Sequence, residues 1–356
     1  MTAQDFSQLA AEMMDELETA PLYLPSQFWR EINRINMAML WNQGIENFKR
    51  TISQNYYNWL VHKSDDPQLR RALRKSKLQS VFTPLLIGTE PDIRIQTMVH
   101  PTPVELSSEE RRIYRTFVSL LWLKAQRLDR HGLARRLKEP KVGHPVKMWL
   151  RRPFRRPKPI SQDLANSIIE CNVIFDALPN RGPKTRVAEI GAGYGRLAYV
   201  WSQTQAGQYL IFDIPPALAV AQWYLPKVLP DKKIFHFRRF DSFSEIEDEL
   251  SAAHVGFFTS NQLEKFPAKF FDAMVTISTL PEMTKEQVDN FLNLFSEKAR
   301  QAIYVKQWQH WKNPRDGTEM SMDDYSLPSP DWRVSLDRKD PTNPMFFNRV
   351  WQRSAA

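Results

Sequence analysis

Short β-rich runs alternate with helical stretches from Arg186 onward, and this alternation constrains the fold more than any other feature of the sequence. The runs are almost continuously apolar, as strands of a sheet buried on both faces must be. They read RVAEIG, QYLIFDI, KIFHFRRF, FFDAMVTIST and QAIYVKQW. Between the last two runs, Thr284 and Gln287 have capping-box spacing ahead of an apolar helical stripe. The alternation predicts an α/β fold with a doubly wound, mostly parallel sheet.

Two further β-like runs lie near the end of the chain. They read WRVSLDRKD and MFFNRVWQRS, and the connection PTNP separates them. A short connection between two such runs is typical of a hairpin. We therefore expect an antiparallel C-terminal hairpin at the edge of the sheet.

The sequence ahead of the sheet has helical periodicity. One apolar stripe, with steps of four and three, comprises Phe28, Ile32, Ile35 and Met39. Farther on, Ser161 is placed to cap a helix whose inner face carries Cys171. We expect three segments: a mainly helical N-terminal domain (1–132) acting as a lid, substrate domain or dimerisation domain, a basic Pro-rich linker (133–160), and the α/β domain with its hairpin (161–356).

The net charge of +9 is concentrated in the expected linker. Between Leu133 and Pro159, ten Lys or Arg residues accompany a single acid, Glu139, so this segment carries the whole excess. Its five prolines favour an extended linker over a helix. Such a basic strip is suited to a phosphate-bearing substrate, an acidic saccharide or a membrane surface, and a plain solvated linker is the alternative.

Length and composition exclude several classes of protein. A chain of 356 residues with 42% hydrophobic residues is long enough for two or three packed domains. The longest apolar run, Phe117 to Leu123, is far too short to span a bilayer. The N-terminus lacks the basic start and apolar core of a secretion signal, so we expect a cytoplasmic location. The single cysteine, Cys171, forms no internal disulfide and is expected to be a buried thiol.

The segment VAEIGAGYGRLAYV is the most informative about a ligand. Gly191, Gly193 and Gly195 follow a strand and precede a helix, where absent side chains allow a ligand to approach the backbone amides. Asp213 ends the next run about 20 residues later, a position suited to binding ribose hydroxyls. The third run leads to Asp241, on the adenine side. These features predict a nucleotide-type site, and a plain strand-to-helix turn is the alternative.

The glycine spacing, the acid after the second strand and the late hairpin resemble class I S-adenosylmethionine-dependent methyltransferases. Four segments narrow the resemblance to the sugar O-methyltransferase family of bacterial saccharide and secondary-metabolite pathways, over roughly Lys141 to the C-terminus. They are ISQDLANSIIE, EIGAGYGRLAY, YLIFDIPPALAVAQWYL and ISTLPEM. The resemblance implies a Rossmann-like class I methyltransferase sheet, S-adenosylmethionine as cofactor, and a small-molecule or glycan acceptor.

The resemblance also implies a set of cofactor contacts. The glycine loop would hold the methionine end, Asp213 the ribose, and Asp241 with Ser242 the adenine side. Gln162 and Asp163 would lie across the cofactor as an N-terminal cover, with helix capping as the other interpretation of Asp163. The full set is Gln162, Asp163, Glu189, Gly191, Ala192, Gly193, Tyr194, Gly195, Asp213, Ile214, Asp241, Ser242 and Ser278.

Transfer of a methyl group to a hydroxyl needs alignment of the reactants and removal of the hydroxyl proton. Glu282, after the fourth run, and His310, after the fifth, are the candidates for a general base. For Glu282 the alternative is a favourable charge at a helix start, and for His310 a core histidine. Trp308 and Trp311 flank His310 and are suited to a sugar-stacking wall. The nearby acids have no spacing that identifies a magnesium site, so dependence on a divalent metal is left open.

Two alternative functions compete with the methyltransferase. In the first, the basic segment with Trp149 and Phe154 binds nucleic acid and the α/β domain is catalytically silent. No recognised nucleic-acid motif accompanies this segment, which disfavours the idea. In the second, the chain is an NAD-dependent dehydrogenase, against which the compact glycine spacing speaks. The acceptor, the oligomeric state and the role of the helical N-terminal region are left open by the sequence.

Overall fold

The computed structural model describes residues 3–52, 60–76, 86–96, 102–152 and 154–354. Within these ranges the chain forms two compact units. The first comprises residues 1–34, 174–340 and 345–356, and the second comprises residues 35–173 and 341–344. These bounds do not coincide with the expected divisions at 132 and 160, because the chain up to Arg34, called the N-terminal segment below, groups with the α/β sheet.

The helices and strands are numbered here in chain order. The helices are α1 (Ala3–Glu18), α2 (Gln27–Gln43), α3 (Phe48–Thr51), α4 (Pro67–Lys75), α5 (Ser108–Leu128), α6 (Leu133–Arg136), α7 (Gln162–Ala177), α8 (Arg196–Ser202), α9 (Ala217–Val228), α10 (Glu247–Ser251) and α11 (Lys285–Lys298). The strands are β1 (Ile87–Thr89), β2 (Arg94–Ile95), β3 (Val104–Glu105), β4 (Met148–Arg152), β5 (Arg155–Ile160), β6 (Arg186–Ile190), β7 (Gln208–Asp213), β8 (Ile234–Phe235), β9 (Val255–Thr259), β10 (Phe271–Ile277), β11 (Ala299–Trp308), β12 (His310–Lys312), β13 (Glu319–Ser321), β14 (Trp332–Lys339) and β15 (Phe346–Arg353). Over the described ranges, no helix is both long enough and apolar enough to cross a membrane.

The first unit is built on a sheet with the order β14-β15-β11-β10-β6-β7-β9-β8. The strands from β11 to β8 run parallel, and β15 pairs antiparallel with both β11 and β14. The α/β fold, the mostly parallel sheet and the C-terminal edge hairpin are therefore confirmed. Because parallel strands end on the same side, the loops after β6, β7, β9 and β10 share one edge of the sheet.

The third strand differs from the expectation. Of the run KIFHFRRF, only Ile234–Phe235 forms a strand, and it lies at the sheet edge. The strand beside β7 is Val255–Thr259, which the sequence analysis missed. The reason is burial: every residue of β9 is buried, as a position inside the sheet requires, whereas Arg238 and Arg239 are exposed.

The N-terminal segment is tied to the sheet by buried contacts. Leu17 and Tyr23 belong to the same apolar cluster as the strand residues. The side-chain amide of Gln287 in α11 donates to the carbonyls of Leu22 and Leu24, at 2.8 Å each. These bonds bring the start of α2 to the carboxyl edge of the sheet, where the loops converge.

The second unit contains the basic segment, and there the linker expectation is wrong. Met148–Arg152 and Arg155–Ile160 form an antiparallel pair, and β1 extends it to three strands. Met148, Lys158 and Ile160 are buried. These buried side chains anchor the segment in a sheet despite its prolines. The predicted cap of α7 is confirmed, since the Ser161 hydroxyl accepts a hydrogen bond from the Leu164 amide at 3.0 Å.

A buried ion pair should stabilise the second unit. Lys49 pairs with Glu139, both side chains are at most 6% exposed, and Ser161 also donates to Glu139 at 2.6 Å. We expect Lys49→Met to lower the free energy of unfolding by about 3–5 kcal/mol, because it leaves Glu139 charged and buried without its cation. Denaturant unfolding measures this, with the exposed Lys141→Met as the matched control. Equal stability of the two variants would contradict the prediction.

Candidate active site

The glycine loop after β6 adopts backbone conformations that favour glycine. Gly191, Gly193 and Gly195 have φ values of 74°, 59° and 80°. The Gly191 amide donates to the Phe212 carbonyl at 2.9 Å, and the Gly195 amide donates to the Ala192 carbonyl at 3.1 Å. The loop is thereby fixed against the end of β7 before α8 begins.

Gly191 also lies against the loop that follows β10. A Cβ atom at this position would come within 2.2 Å of Oγ1 of Thr279. The Thr279 hydroxyl donates to the Ile277 carbonyl at 3.0 Å and to the Gly191 carbonyl at 3.3 Å. Glycine is therefore required here both by φ and by the close approach of a neighbouring side chain.

Asp213 lies at the end of β7 and holds the glycine loop. Its Oδ2 accepts a hydrogen bond from the Gly193 amide and its Oδ1 accepts one from the Ile214 amide, each at 2.7 Å. Burial raises the pKa of Asp213 to about 7, against the opposing effect of these two hydrogen bonds. Each carboxylate oxygen keeps a second lone pair for a ligand hydroxyl.

Glu282 follows β10, in the short helical turn Leu280–Glu282. Its Oε2 accepts a hydrogen bond from Nε1 of Trp29 at 3.1 Å, and its backbone carbonyl accepts one from the Ser26 hydroxyl at 2.6 Å. Burial, with a smaller contribution from the negative charge of Asp213, raises the pKa of Glu282 well above its ordinary value, while the Trp29 bond lowers it. The two carboxyl groups thus interact electrostatically at one edge of the sheet.

The sequence analysis missed several polar groups near these carboxyls. The Asn33 amide nitrogen donates to the Pro215 carbonyl at 2.9 Å, and Oδ1 of Asn33 is buried without a hydrogen bond from any described residue. The Tyr325 hydroxyl is likewise buried without such a partner. Burial and the charges of Asp324 and Glu282 raise the pKa of Tyr325. The available signal was Asn33 itself, a polar side chain one helical turn after Trp29 and next to the apolar stripe of α2.

An aromatic cluster lies beside α2. The rings of Trp308 and Trp311 are 5.1 Å apart between centroids, and Trp308 is 4.5 Å from Phe346. Phe28 of α2 meets Trp311 edge-to-face at 6.5 Å. Nε1 of Trp311 is buried and donates no hydrogen bond to the described residues. The two tryptophans that the sequence singled out are therefore in contact, with one indole N–H available for a ligand.

Other predicted residues in the first unit lie as follows. Glu189 is buried on β6 and accepts a hydrogen bond from the Tyr209 hydroxyl at 2.9 Å. Ser278 is buried after β10 with a φ of 55°. Ala192 and Tyr194 are buried within the glycine loop.

Three predicted residues are exposed. His310 is exposed on β12, opposite Ser321. Asp241 and Ser242 are exposed in the loop beyond β8, where the Ser242 hydroxyl and amide bond to Glu245. The adenine-side expectation relied on a third strand that ends at Asp241, but the strand next to β7 ends at Thr259.

Gln162 and Asp163 lie in the second unit, in the first turn of α7, and both are buried. Oε1 of Gln162 has no hydrogen-bond partner among the described residues. The described part of the chain contains no group of three or more His, Cys, Asp or Glu side chains arranged to hold a metal ion. Cys171 is buried, as expected.

Comparisons with known proteins return only solved structures. No protein-family model matches the chain, and no curated protein matches it. The chain is similar to magnesium protoporphyrin IX methyltransferase from Synechocystis PCC 6803 with bound SAH, at 13% identity over 54% of this chain and 86% of that one, with a TM-score of 0.36. A SAM-dependent methyltransferase from Leishmania major has 18% identity over 54% and 74%, with a TM-score of 0.37. The mitomycin 7-O-methyltransferase has 12% identity over 54% and 57%, with a TM-score of 0.34. Because these values are low, function is inferred from the residues of the site.

Two effects require glycine at position 191, the positive φ and the nearby side chain of Thr279, and an experiment can measure them separately. Gly191 and Gly317 share a φ of +74°, but only Gly191 has atoms near the position of a Cβ. We expect Gly317→Ala to cost about 1–2 kcal/mol in unfolding free energy, and Gly191→Ala to cost about 1–3 kcal/mol more because of the steric clash with Thr279. Denaturant unfolding of both variants measures the difference. Equal losses would show that the loop tolerates a side chain at Gly191.

Proposed function

We propose that the protein is an S-adenosylmethionine-dependent O-methyltransferase that acts on a sugar hydroxyl. One observation carries the proposal: the buried carboxyl of Asp213 accepts a hydrogen bond from the glycine loop, and Glu282 follows β10 at the same edge of the sheet. A group suited to ribose hydroxyls and a group suited to accept a proton would then lie at one edge of the sheet. The resemblance of the four sequence segments to sugar O-methyltransferases supplies the choice of cofactor and acceptor.

The residues of the first unit fit the cofactor. Three positions of the glycine loop have no Cβ, so a ligand could approach the loop backbone closely, and the second lone pairs on Asp213 are suited to ribose hydroxyls. The strand next to β7 is β9 and not the run KIFHFRRF. This favours Asn261, which closely follows β9, as the residue on the adenine side. Its Nδ2 donates to the Glu16 carbonyl at 3.2 Å, while its buried Oδ1 accepts no hydrogen bond from the described residues. The cofactor contacts of Gln162 and Asp163 stay predictions.

S-adenosylmethionine would supply the methyl group. Glu282 would accept the proton of the acceptor hydroxyl, since a carboxylate with a raised pKa is a stronger base than an ordinary one. Trp29 holds the carboxylate through its indole N–H, and Tyr325 offers a buried hydroxyl beside it. We prefer Glu282 to His310 as the base, because His310 is exposed and therefore open to bulk water.

The aromatic cluster favours a sugar as the acceptor. Indole and phenyl faces bind the apolar face of a sugar ring, while an indole N–H can donate to a ring hydroxyl. Trp311 offers both features, with Phe28 at its edge. The acceptor pocket would then be formed by the aromatic cluster together with Trp29 and Asn33.

The cofactor is tested by calorimetric titration with S-adenosylhomocysteine, with NADH and a short oligonucleotide as competing ligands. We expect S-adenosylhomocysteine alone to bind, and Asp213→Ala to weaken its binding by about tenfold or more, because charge-assisted hydrogen bonds to the ribose are lost. The exposed Asp231→Ala serves as the matched control. Binding of NADH or the oligonucleotide without S-adenosylhomocysteine would refute the assignment.

The base is tested by methyl transfer to a panel of free sugars, glycosides and nucleotide sugars. We expect Glu282→Gln to lower kcat by about 10²–10⁴-fold while S-adenosylhomocysteine binding is retained. The rate of the unaltered protein should rise with pH through the raised pKa of Glu282, because only the ionised form accepts a proton. The exposed Glu286→Gln is the control. An unchanged kcat in Glu282→Gln would exclude it as the base.

Trp29→Phe tests whether the indole hydrogen bond lowers the pKa of Glu282. The substitution keeps an aromatic ring but removes the N–H that lowers the pKa of Glu282. We therefore expect the midpoint of the pH–rate profile to move to higher pH in this variant. Trp41→Phe, on the same helix at a residue that is 64% exposed, should leave the midpoint in place. A downward shift in Trp29→Phe would contradict the role assigned to this hydrogen bond.

A further inference from the structure

A cleft in the second unit lies apart from the residues used above. Helices α4 and α5 form its sides, and the cleft has an empty volume of about 570 Å³, counting its opening to solvent. It is lined by Arg71, Ala72, Lys75, Ser76, Phe117, Leu120, Leu121, Leu123, Lys124, Arg127, Pro341 and Thr342.

The cleft has a strong positive charge. Four of the lining residues are cations and none is an acid. Arg71 and Lys75 are one turn apart on α4, and Lys124 and Arg127 are one turn apart on α5. Like charges at this spacing repel one another and destabilise the helix surface unless an anion is present. A cluster of this kind, with no acid among its lining residues, is therefore suited to an anionic ligand.

Three of these cations, Arg71, Lys75 and Arg127, are not neutralised by carboxylates of the described residues. Arg71, Lys75 and Arg127 form no ion pair with any described residue, and the buried Nε of Arg71 donates no hydrogen bond to one. The stretches outside the described ranges contain no Asp or Glu at all. The side-chain carboxylates that could pair with these three cations are therefore absent.

Part of the lining of the same cleft is apolar. Phe117, Leu120 and Leu121 of α5 line it, and each is buried. Cations and apolar side chains in the lining of one cleft match a ligand that joins an anionic group to an apolar group. Arginine presents a planar set of donors that matches phosphate oxygens, and several cations together favour a doubly charged group.

We propose that this cleft binds an organic phosphate that carries an apolar chain or ring. Arg71 and Arg127, from opposite sides, would hold the phosphate oxygens together with Lys75. The apolar part would lie on Phe117, Leu120 and Leu121. This site belongs to the second unit and is independent of the proposed methyl transfer.

The experiment is calorimetric titration of the full chain with octyl phosphate, inorganic phosphate and octyl glucoside, all below their micellar concentrations. We expect octyl phosphate to bind at least about tenfold more tightly than either of the others, because only it fills both parts of the cleft. The double variant Arg71→Gln/Arg127→Gln should lose about tenfold or more of this affinity. The matched control Arg74→Gln/Arg112→Gln removes one exposed arginine from each helix and should keep it.

The outcomes separate the sources of the phosphate. Sedimentation with phosphatidylcholine vesicles, with and without phosphatidic acid, shows whether the group can belong to a membrane lipid. Binding of octyl phosphate without binding to either vesicle would identify a free phosphorylated compound as the ligand. Equal affinities for octyl phosphate and octyl glucoside, or equal losses in the two double variants, would overturn the proposal. So would a failure of octyl phosphate to bind to a chain that still unfolds cooperatively.

Discussion

The hydrogen bonds from two backbone amides to the Asp213 carboxylate are the constraint on which the candidate active site depends. The bond from Gly193 fixes the glycine loop after β6 to the end of β7, and the bond from Ile214 orients the carboxylate within its own loop. Burial of this carboxylate is unfavourable: a rise in pKa from 3.8 to about 7 corresponds to roughly 4 kcal/mol. In the pH range between these values, the folded state binds more protons than the unfolded state. Stability therefore falls as the pH rises through this range.

The electrostatic coupling of Asp213 with Glu282 separates their roles. Asp213 accepts two backbone hydrogen bonds, which favour its ionised form, whereas the side chain of Glu282 accepts one from Trp29. Burial raises the pKa of both carboxyls, opposed by one hydrogen bond from Trp29 at Glu282 and by two backbone amides at Asp213, and the negative charge of Asp213 raises the pKa of Glu282 further. This difference suits Asp213 to binding hydroxyls and Glu282 to proton transfer.

The sheet could be predicted from the sequence because its strands are continuous apolar runs, and the parallel strands after β6 were found with one error. KIFHFRRF has the composition of a strand because β-forming residues dominate it. Arg238 and Arg239, however, are unsuited to a strand inside the sheet, where both faces are buried. VGFFT, which takes that place, is short and contains a glycine, so its local signal is weak. The prediction for the basic segment was wrong because local sequence and tertiary burial point to different structures. Its prolines indicate a linker, and only the tertiary burial of Met148 and Ile160 makes it a hairpin.

The loop residues of the candidate site could be predicted as well, because each follows a strand directly in the sequence. Glu282 is one example, and Asp213 another. Trp29 and Tyr325 could not, since the first reaches the same place from near the start of the chain and the second from a separate loop after β13. Contacts of this kind depend on tertiary packing, and no local pattern encodes them.

In the proposed enzyme, the N-terminal segment would have a chemical role in addition to a structural one. The sheet supplies the glycine loop and both carboxyls, whereas the N-terminal segment supplies the donor to Glu282, the buried Oδ1 of Asn33 and the ring of Phe28. The indole of Trp29 in this segment lowers the pKa of Glu282, against the raising effects of burial and of the negative charge of Asp213. In the proposed enzyme, the choice of acceptor and the strength of the base then both depend on α2, while the cofactor end depends on the sheet.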